Sequence, residues 1–136
     1  RSTSRKAEPM RRDFVLGPKD VEALDALGCP WEAARSGGSR WIIIHDFPVP
    51  PGYNVSQIRV AIRIDTYPPG IIDMAYFLPP LSRADGKVIN NLSNLAIDGA
   101  TYQQWSRHYS WRAGTDSLGS HLRRVRSWLK HELRKR

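Results

Sequence analysis

The sequence predicts an α+β domain with an N-terminal helix, a four-stranded antiparallel meander, a long irregular segment and a C-terminal helix. Three stretches carry that prediction. Ile58, Val60, Ile62 and Ile64 alternate with Arg59, Ala61, Arg63 and Asp65, the period of two of a strand with one buried and one wet face. Tyr67-Pro68-Pro69-Gly70 must end that strand, because proline fixes φ and has no amide donor. Asp73 to Leu78 then reads as a second strand, stopped by Pro79-Pro80. Near the other end, Leu118, Leu122, Val125 and Leu129 recur at i, i+4, i+7 and i+11, the apolar stripe of an amphipathic helix.

The remaining elements follow from punctuation. Pro18 to Gly28 has the marks of a short helix: proline in the first turn, Asp20 and Glu22 at the positive end, Gly28 at the stop, and Val21, Leu24 and Leu27 on one face. Trp31 to Arg35 and Arg40 to Phe47 flank Ser36-Gly37-Gly38-Ser39, and the two glycines supply the positive φ of a tight hairpin. Pro48-Val-Pro-Pro51-Gly52 ends the second of these strands, and Gln57 to Asp65 is the third. Leu81 to Gln104 has no convincing period and reads as a long irregular, active-site-like segment. Thr115 or Asp116 is placed to cap a last helix from Ser117 to about Lys135.

A chain of 136 residues fits one domain, and 40% hydrophobic residues with five tryptophans suffice for a core. No stretch nears 18 consecutive apolar residues, the N-terminal region has no apolar signal-peptide core, and Cys29 is the sole cysteine; together these point to a cytoplasmic protein without an internal disulfide. The net charge of +8 is unevenly placed. Residues 1–12 hold five Lys/Arg against Glu8, and residues 123–136 hold seven against Glu132. Residues 13–122, with nine bases and eleven acids, stay near neutral. The expected organisation is a flexible basic arm at 1–14, a folded domain at 15–133 and a basic tail at 134–136.

Few residues carry candidate chemistry. Cys29, between the first helix and the first strand, has no basic cluster beside it to activate a thiol and reads as structural. His45 reads as a satisfied strand histidine sharing parity with Trp41, Ile43 and Phe47; His121 and His131 read as surface or boundary residues of the last helix. No histidine or cysteine pair has metal-ligand spacing, and no phosphate loop or nucleophile elbow is present, so no cofactor or metal is expected. His108 stands out, because Trp105, Ser106, Arg107, Tyr109 and Trp111 surround it with hydroxyls, a guanidinium and aromatic walls. That cluster suits an imidazole oriented for acid–base work or for binding a carboxylate, and suits a packed aromatic corner equally.

The order of elements, with the Tyr-Pro turn and a tryptophan before the last helix, resembles the ubiquitin-conjugating enzyme (UBC) fold. More narrowly, Pro50-Pro-Gly-Tyr-Asn54, Tyr67-Pro-Pro-Gly70, Asp73-Met74, Pro79-Pro-Leu81 and Trp105-Ser-Arg-His108 resemble the bacterial family E branch of these proteins. The resemblance covers about residues 15–133. It implies a component of a bacterial ubiquitin-like modification system with a ubiquitin-like modifier and an adenylating activating enzyme as partners, and antiviral defence as a setting. It also exposes a departure. The family's usual His-Pro-Asn motif and following catalytic cysteine are missing: Leu81 to Tyr109 has no cysteine, and its one histidine is His108. Thioester transfer needs a soft, ionisable nucleophile. The expectation is therefore either a non-catalytic binder, a pseudoenzyme, or a carrier using an atypical residue. His108 is the catalytic candidate, and Trp105, Ser106, Arg107 and Trp111 are the binding candidates. A different class remains open: a nucleic-acid-associated protein using its Lys/Arg-rich ends.

Overall fold

A computed structural model describes residues 10–135. Two helices pack on one face of a six-stranded, wholly antiparallel sheet. The elements are α1 (Pro18–Ala26), β1 (Trp31–Ser36), β2 (Ser39–Pro48), β3 (Gln57–Arg63), β4 (Ala75–Leu78), β5 (Leu92–Ile97), β6 (Ala100–Trp105) and α2 (Leu118–Glu132). The strand order is β1-β2-β3-β4-β6-β5. Of the expected basic arm at 1–14, residues 1–9 lie outside the described residues, as does Arg136 of the tail. Arg11 to Asp13 run alongside β1, exchanging backbone hydrogen bonds with Ala33, and Phe14 is buried.

The four-stranded meander with an irregular continuation is corrected to six strands. The expected irregular segment contains the β5–β6 hairpin, closed by Asp98-Gly99 with φ of 51° and 84°. Positive φ at both central positions marks the turn whose twist suits a two-residue hairpin, and Asp-Gly is its common sequence. The strand pattern was hidden because Ser93, Asn94, Ala96 and Thr101 occupy its exposed positions.

Nor is the sheet's second side left without apolar packing. Its helix-facing side carries the main core, where Ile42, Ile44, Val60, Ile62, Phe77 and Trp105 meet Leu24 of α1 and Leu118, Leu122, Val125 and Leu129 of α2. Burying each such side chain of α2 stabilises the fold by about 1.5–3 kcal/mol. The opposite side carries a second cluster of Ala34, Trp41, Ile43, Ala61, Tyr76, Ile97 and Tyr102. Arg11 closes over this side: it donates to Glu32 of β1 and to Asp98 at the tip of the β5–β6 hairpin. The sheet therefore curls until its two ends share one guanidinium. Burial alone would raise the Glu32 carboxyl, but hydrogen bonds from Arg11 and His45 hold it below the usual range.

β2 serves both cores through a bulge. Its pairing with β3 shifts register between Ile44 and Phe47, where Asp46 has φ 59°. Trp41 and Ile43 lie in the second cluster, whereas Phe47, of the same parity, lies in the main core. His45 sits at this break, its Nε2 2.7 Å from Glu32 Oε2.

Tyr67 ties the helices to the loop between β3 and β4. Its hydroxyl donates to Asp20 Oδ1 in α1 (2.9 Å) and accepts from the backbone N–H of Leu118 at the start of α2 (3.2 Å). Gly70 is required in the same loop, because a Cβ there would lie 2.2 Å from Thr66 Oγ1. The cap of α2 is Ser117 rather than Thr115 or Asp116: Ser117 and Ser120 exchange side-chain-to-backbone hydrogen bonds in a capping box. Asp116 supports it by accepting from Ser120 Oγ at 3.0 Å.

Candidate functional site

The candidate site forms where two chain segments leave the sheet side by side. Ala75 of β4 pairs with Trp105 of β6, so Asp73-Met74 entering β4 lies beside Ser106 to His108 leaving β6. This places His108 Nδ1 3.4 Å from Asp73 Oδ2. The imidazole is 67% exposed and the carboxylate 36%. This contact is an ion pair only when the ring is protonated, and among the described residues neither ring nitrogen makes a hydrogen bond.

The next residue points the other way. Tyr109 turns inward, and its hydroxyl lies 2.8 Å from His121 Nδ1. His121 Nε2 lies 2.8 Å from the Met74 carbonyl oxygen. A carbonyl can only accept, so Nε2 carries the proton and Nδ1 accepts from the tyrosine. Burial pushes the His121 pKa down to about 4 and the Tyr109 pKa up to about 12. His121 is thus a fully buried neutral histidine, not the surface or boundary residue its sequence position implied. Tyr109 stacks on it, Trp111 and Trp128 flank the pair, and the Arg124 guanidinium covers the Tyr109 ring at 3.9 Å. This aromatic plug anchors the segment that presents His108.

The other expected site residues disperse around it. Trp105 is fully buried, donates from Nε1 to Gln103 Oε1 at 2.8 Å and packs edge-on against Phe77, so it offers no contact surface. Arg107 turns toward the C-terminal end of α2, with Nη2 3.7 Å from buried Glu132 Oε1 and its guanidinium 4.8 Å from the Trp105 ring; burial lowers its pKa. Ser106 is half-buried, its backbone N–H donating to Asn91 O and its Oγ accepting from Gln104. Trp111 is half-buried, edge-on to Tyr67. His108 alone of the set is broadly exposed.

The segment after Pro80 is pinned from three sides. Asn54 donates to the Pro80 carbonyl and accepts from the Ser82 N–H. Gln103 exchanges two hydrogen bonds with the Leu81 backbone, each of 3.0 Å. Arg83, with its side chain 3% exposed, pairs with Asp85 and donates to the Glu132 and Lys135 carbonyls at the end of α2. Carbonyls at a helix end lack partners within the helix, and here the Arg83 guanidinium joins the Lys135 N–H in capping the Glu132 carbonyl. Tyr53 adds a hydrogen bond from its hydroxyl to the Leu129 carbonyl. Tyr53 and Tyr67, which stand in the most distinctive motifs, are therefore fastenings of loop to helix, and Asn54 is a fastening of loop to loop. Sequence reasoning missed Asp73 and Arg83 as partners because each acts across 35 residues or more of chain. Parity within the last helix would have found His121, which lies one turn from Leu118 and Val125.

Cys29 lies elsewhere, two residues before edge strand β1, with β2 and β3 between that strand and β4. Its thiol is 3.5 Å from Asp46 O, and burial, with the Asp46 charge, pushes its pKa up. Among the described residues, no group of three or more His, Cys, Asp or Glu is placed to hold a metal ion. No helix among them is long and apolar enough to cross a membrane.

A family model described as prokaryotic E2 family E matches residues 16–132. No curated protein and no solved structure matches the chain.

Proposed function

The chain belongs to prokaryotic E2 family E, whose members are components of ubiquitin-like conjugation systems, and from that premise we propose that it binds the ubiquitin-like modifier, or its activating enzyme, without carrying the modifier on a thiol. The face presented to the partner is the one around His108, with Ser106 and Trp111 at its margin. One observation carries this reading: the segment pinned behind β4 has no cysteine, and the sole thiol lies beyond two intervening strands with its pKa raised. A thiol held protonated is a poor nucleophile. An exposed imidazole beside a carboxylate, on a segment anchored by half-buried aromatics packed on buried His121, is suited to a polar contact in a partner interface.

The test combines the full chain with activating enzyme, modifier and ATP. The expected result is a non-covalent complex, weakened roughly tenfold or more in His108→Ala, which corresponds to about 1.4 kcal/mol. No adduct should survive denaturation in the mass spectrum. An adduct at the modifier's mass less one water would overturn the binder reading.

The His108–Asp73 geometry favours one alternative, transfer through an acyl-imidazole. The carbonyl carbon of the activated modifier would bond to Nε2 as the bond to its leaving group breaks, and Asp73 would stabilise the proton on Nδ1. An adduct mapped to His108 and absent in His108→Ala supports that alternative.

A further inference from the structure

The outer face of α2 lies outside the surface proposed for modifier recognition and carries a row of exposed cations. At 100° per residue, Ser127 and His131 lie opposite the stripe of Leu118, Leu122, Val125 and Leu129, and Arg123, Lys130 and Arg126 step along one flank of it, with Arg134 past the helix end. All six are exposed and line one shallow groove. That face has no acid, since Glu132 is turned into the protein against Arg83 and Arg107. Among the described residues, Arg123, Arg126, Lys130 and Arg134 make no ion pair. From Arg123 to Lys130 the row runs about 10 Å, and Arg134 extends it past the helix end.

We propose that this stripe binds the phosphate backbone of duplex DNA. The charge is unneutralised and arranged in a line, and one DNA strand presents a phosphate for every 3.4 Å or so of helix axis, about three along the Arg123–Lys130 row. Three of the four cations are arginines, whose planar forks match phosphate oxygens. The stripe has no apolar side chain. A membrane-surface helix needs an apolar face to insert, and here that face is spent on the core. A specific protein interface centres on apolar or aromatic anchors, which the groove also lacks.

The test uses the full chain and a fluorescein-labelled duplex of about 20 base pairs of mixed sequence, followed by anisotropy across a salt series. Four phosphates neutralised by the stripe give a slope of log K against log salt of about −3.6 or steeper. Arg123→Gln with Lys130→Gln should weaken low-salt binding and flatten the slope by about 1.8. Lys19→Gln with Lys87→Gln removes the same charge from exposed positions elsewhere and should leave the slope unchanged. His108→Ala should leave DNA binding intact, which separates this surface from modifier recognition. The proposal is overturned by absence of binding at low salt, or by equal losses in the two double variants. It is also overturned if polyglutamate or anionic vesicles bind the chain while DNA does not.

Discussion

Tyr67→Phe removes one oxygen atom and, with it, a link that touches α1, the β3–β4 loop and α2 together. The Leu118 N–H would lose its acceptor in a site with no accessible surface, and Asp20, 7% exposed, would lose a donor. A buried donor left unpaired costs about 1–3 kcal/mol, and a hydrogen bond to a charged group contributes about 1.5–3 kcal/mol. The 3.2 Å bond to Leu118 is long and Asp20 is not wholly sealed, so we expect a loss of about 2–4 kcal/mol. For a domain of this size, roughly 4 °C per kcal/mol makes that a Tm lowered by about 10 °C. Urea and thermal melts measure it, and amide exchange at Leu118 locates it. Asp20→Leu added to Tyr67→Phe should cost less than the sum of the two, since the residues share one bond. A loss below about 0.5 kcal/mol, or strict additivity in the double variant, would refute the reasoning.

Two further outcomes follow from the titratable groups. His121 is held neutral with a pKa of about 4, below the ordinary value of 6.5. The unfolded chain therefore binds a proton first, and stability present above pH 6.5 falls by about 1.4 kcal/mol per pH unit as pH drops toward 4. His121→Gln should flatten that part of the pH profile in urea melts, and histidine NMR should show no protonation at this ring until pH nears 4. The Cys29 thiol should alkylate more slowly than a free cysteine at pH 7, as read by mass spectrometry, and Cys29→Ser should leave partner binding unchanged; a rapid reaction would contradict its raised pKa.

The parts of the fold legible in the sequence were those with strong local patterns. The apolar stripe of α2, the Pro18 start of α1, the Gly-Gly turn and the alternation through β3 all rest on neighbours within a few residues. The β5–β6 hairpin was missed although Asp98-Gly99 stood in plain view, because polar residues on its exposed face blurred the period. The second cluster was missed because strand alternation reports one buried face and cannot reveal that a distant hairpin, clasped by Arg11, returns to cover the other. His108 was legible as a polar residue among aromatics. Its partner Asp73 was not, because the pair depends on the β4–β6 register. Trp105 misled for a related reason: a tryptophan beside polar residues suits a contact surface or a core equally, and only packing against Phe77 and Tyr53 decides.

The bulge at Asp46 gives β2 two mutational phases. In a saturation scan, tolerance to polar substitution along a regular strand oscillates with a constant beat. Along β2 the odd positions 41 and 43 should report the integrity of the Arg11-covered cluster, and position 47 that of the helix-covered core. The beat would therefore slip by half a cycle at Asp46. Removing one residue there would cancel the slip, match the two-residue step from Val60 to Ile58 on β3 and leave Phe47 on the face of Ile44, in the layer it now fills, so deletion at that point should be tolerated better than insertion.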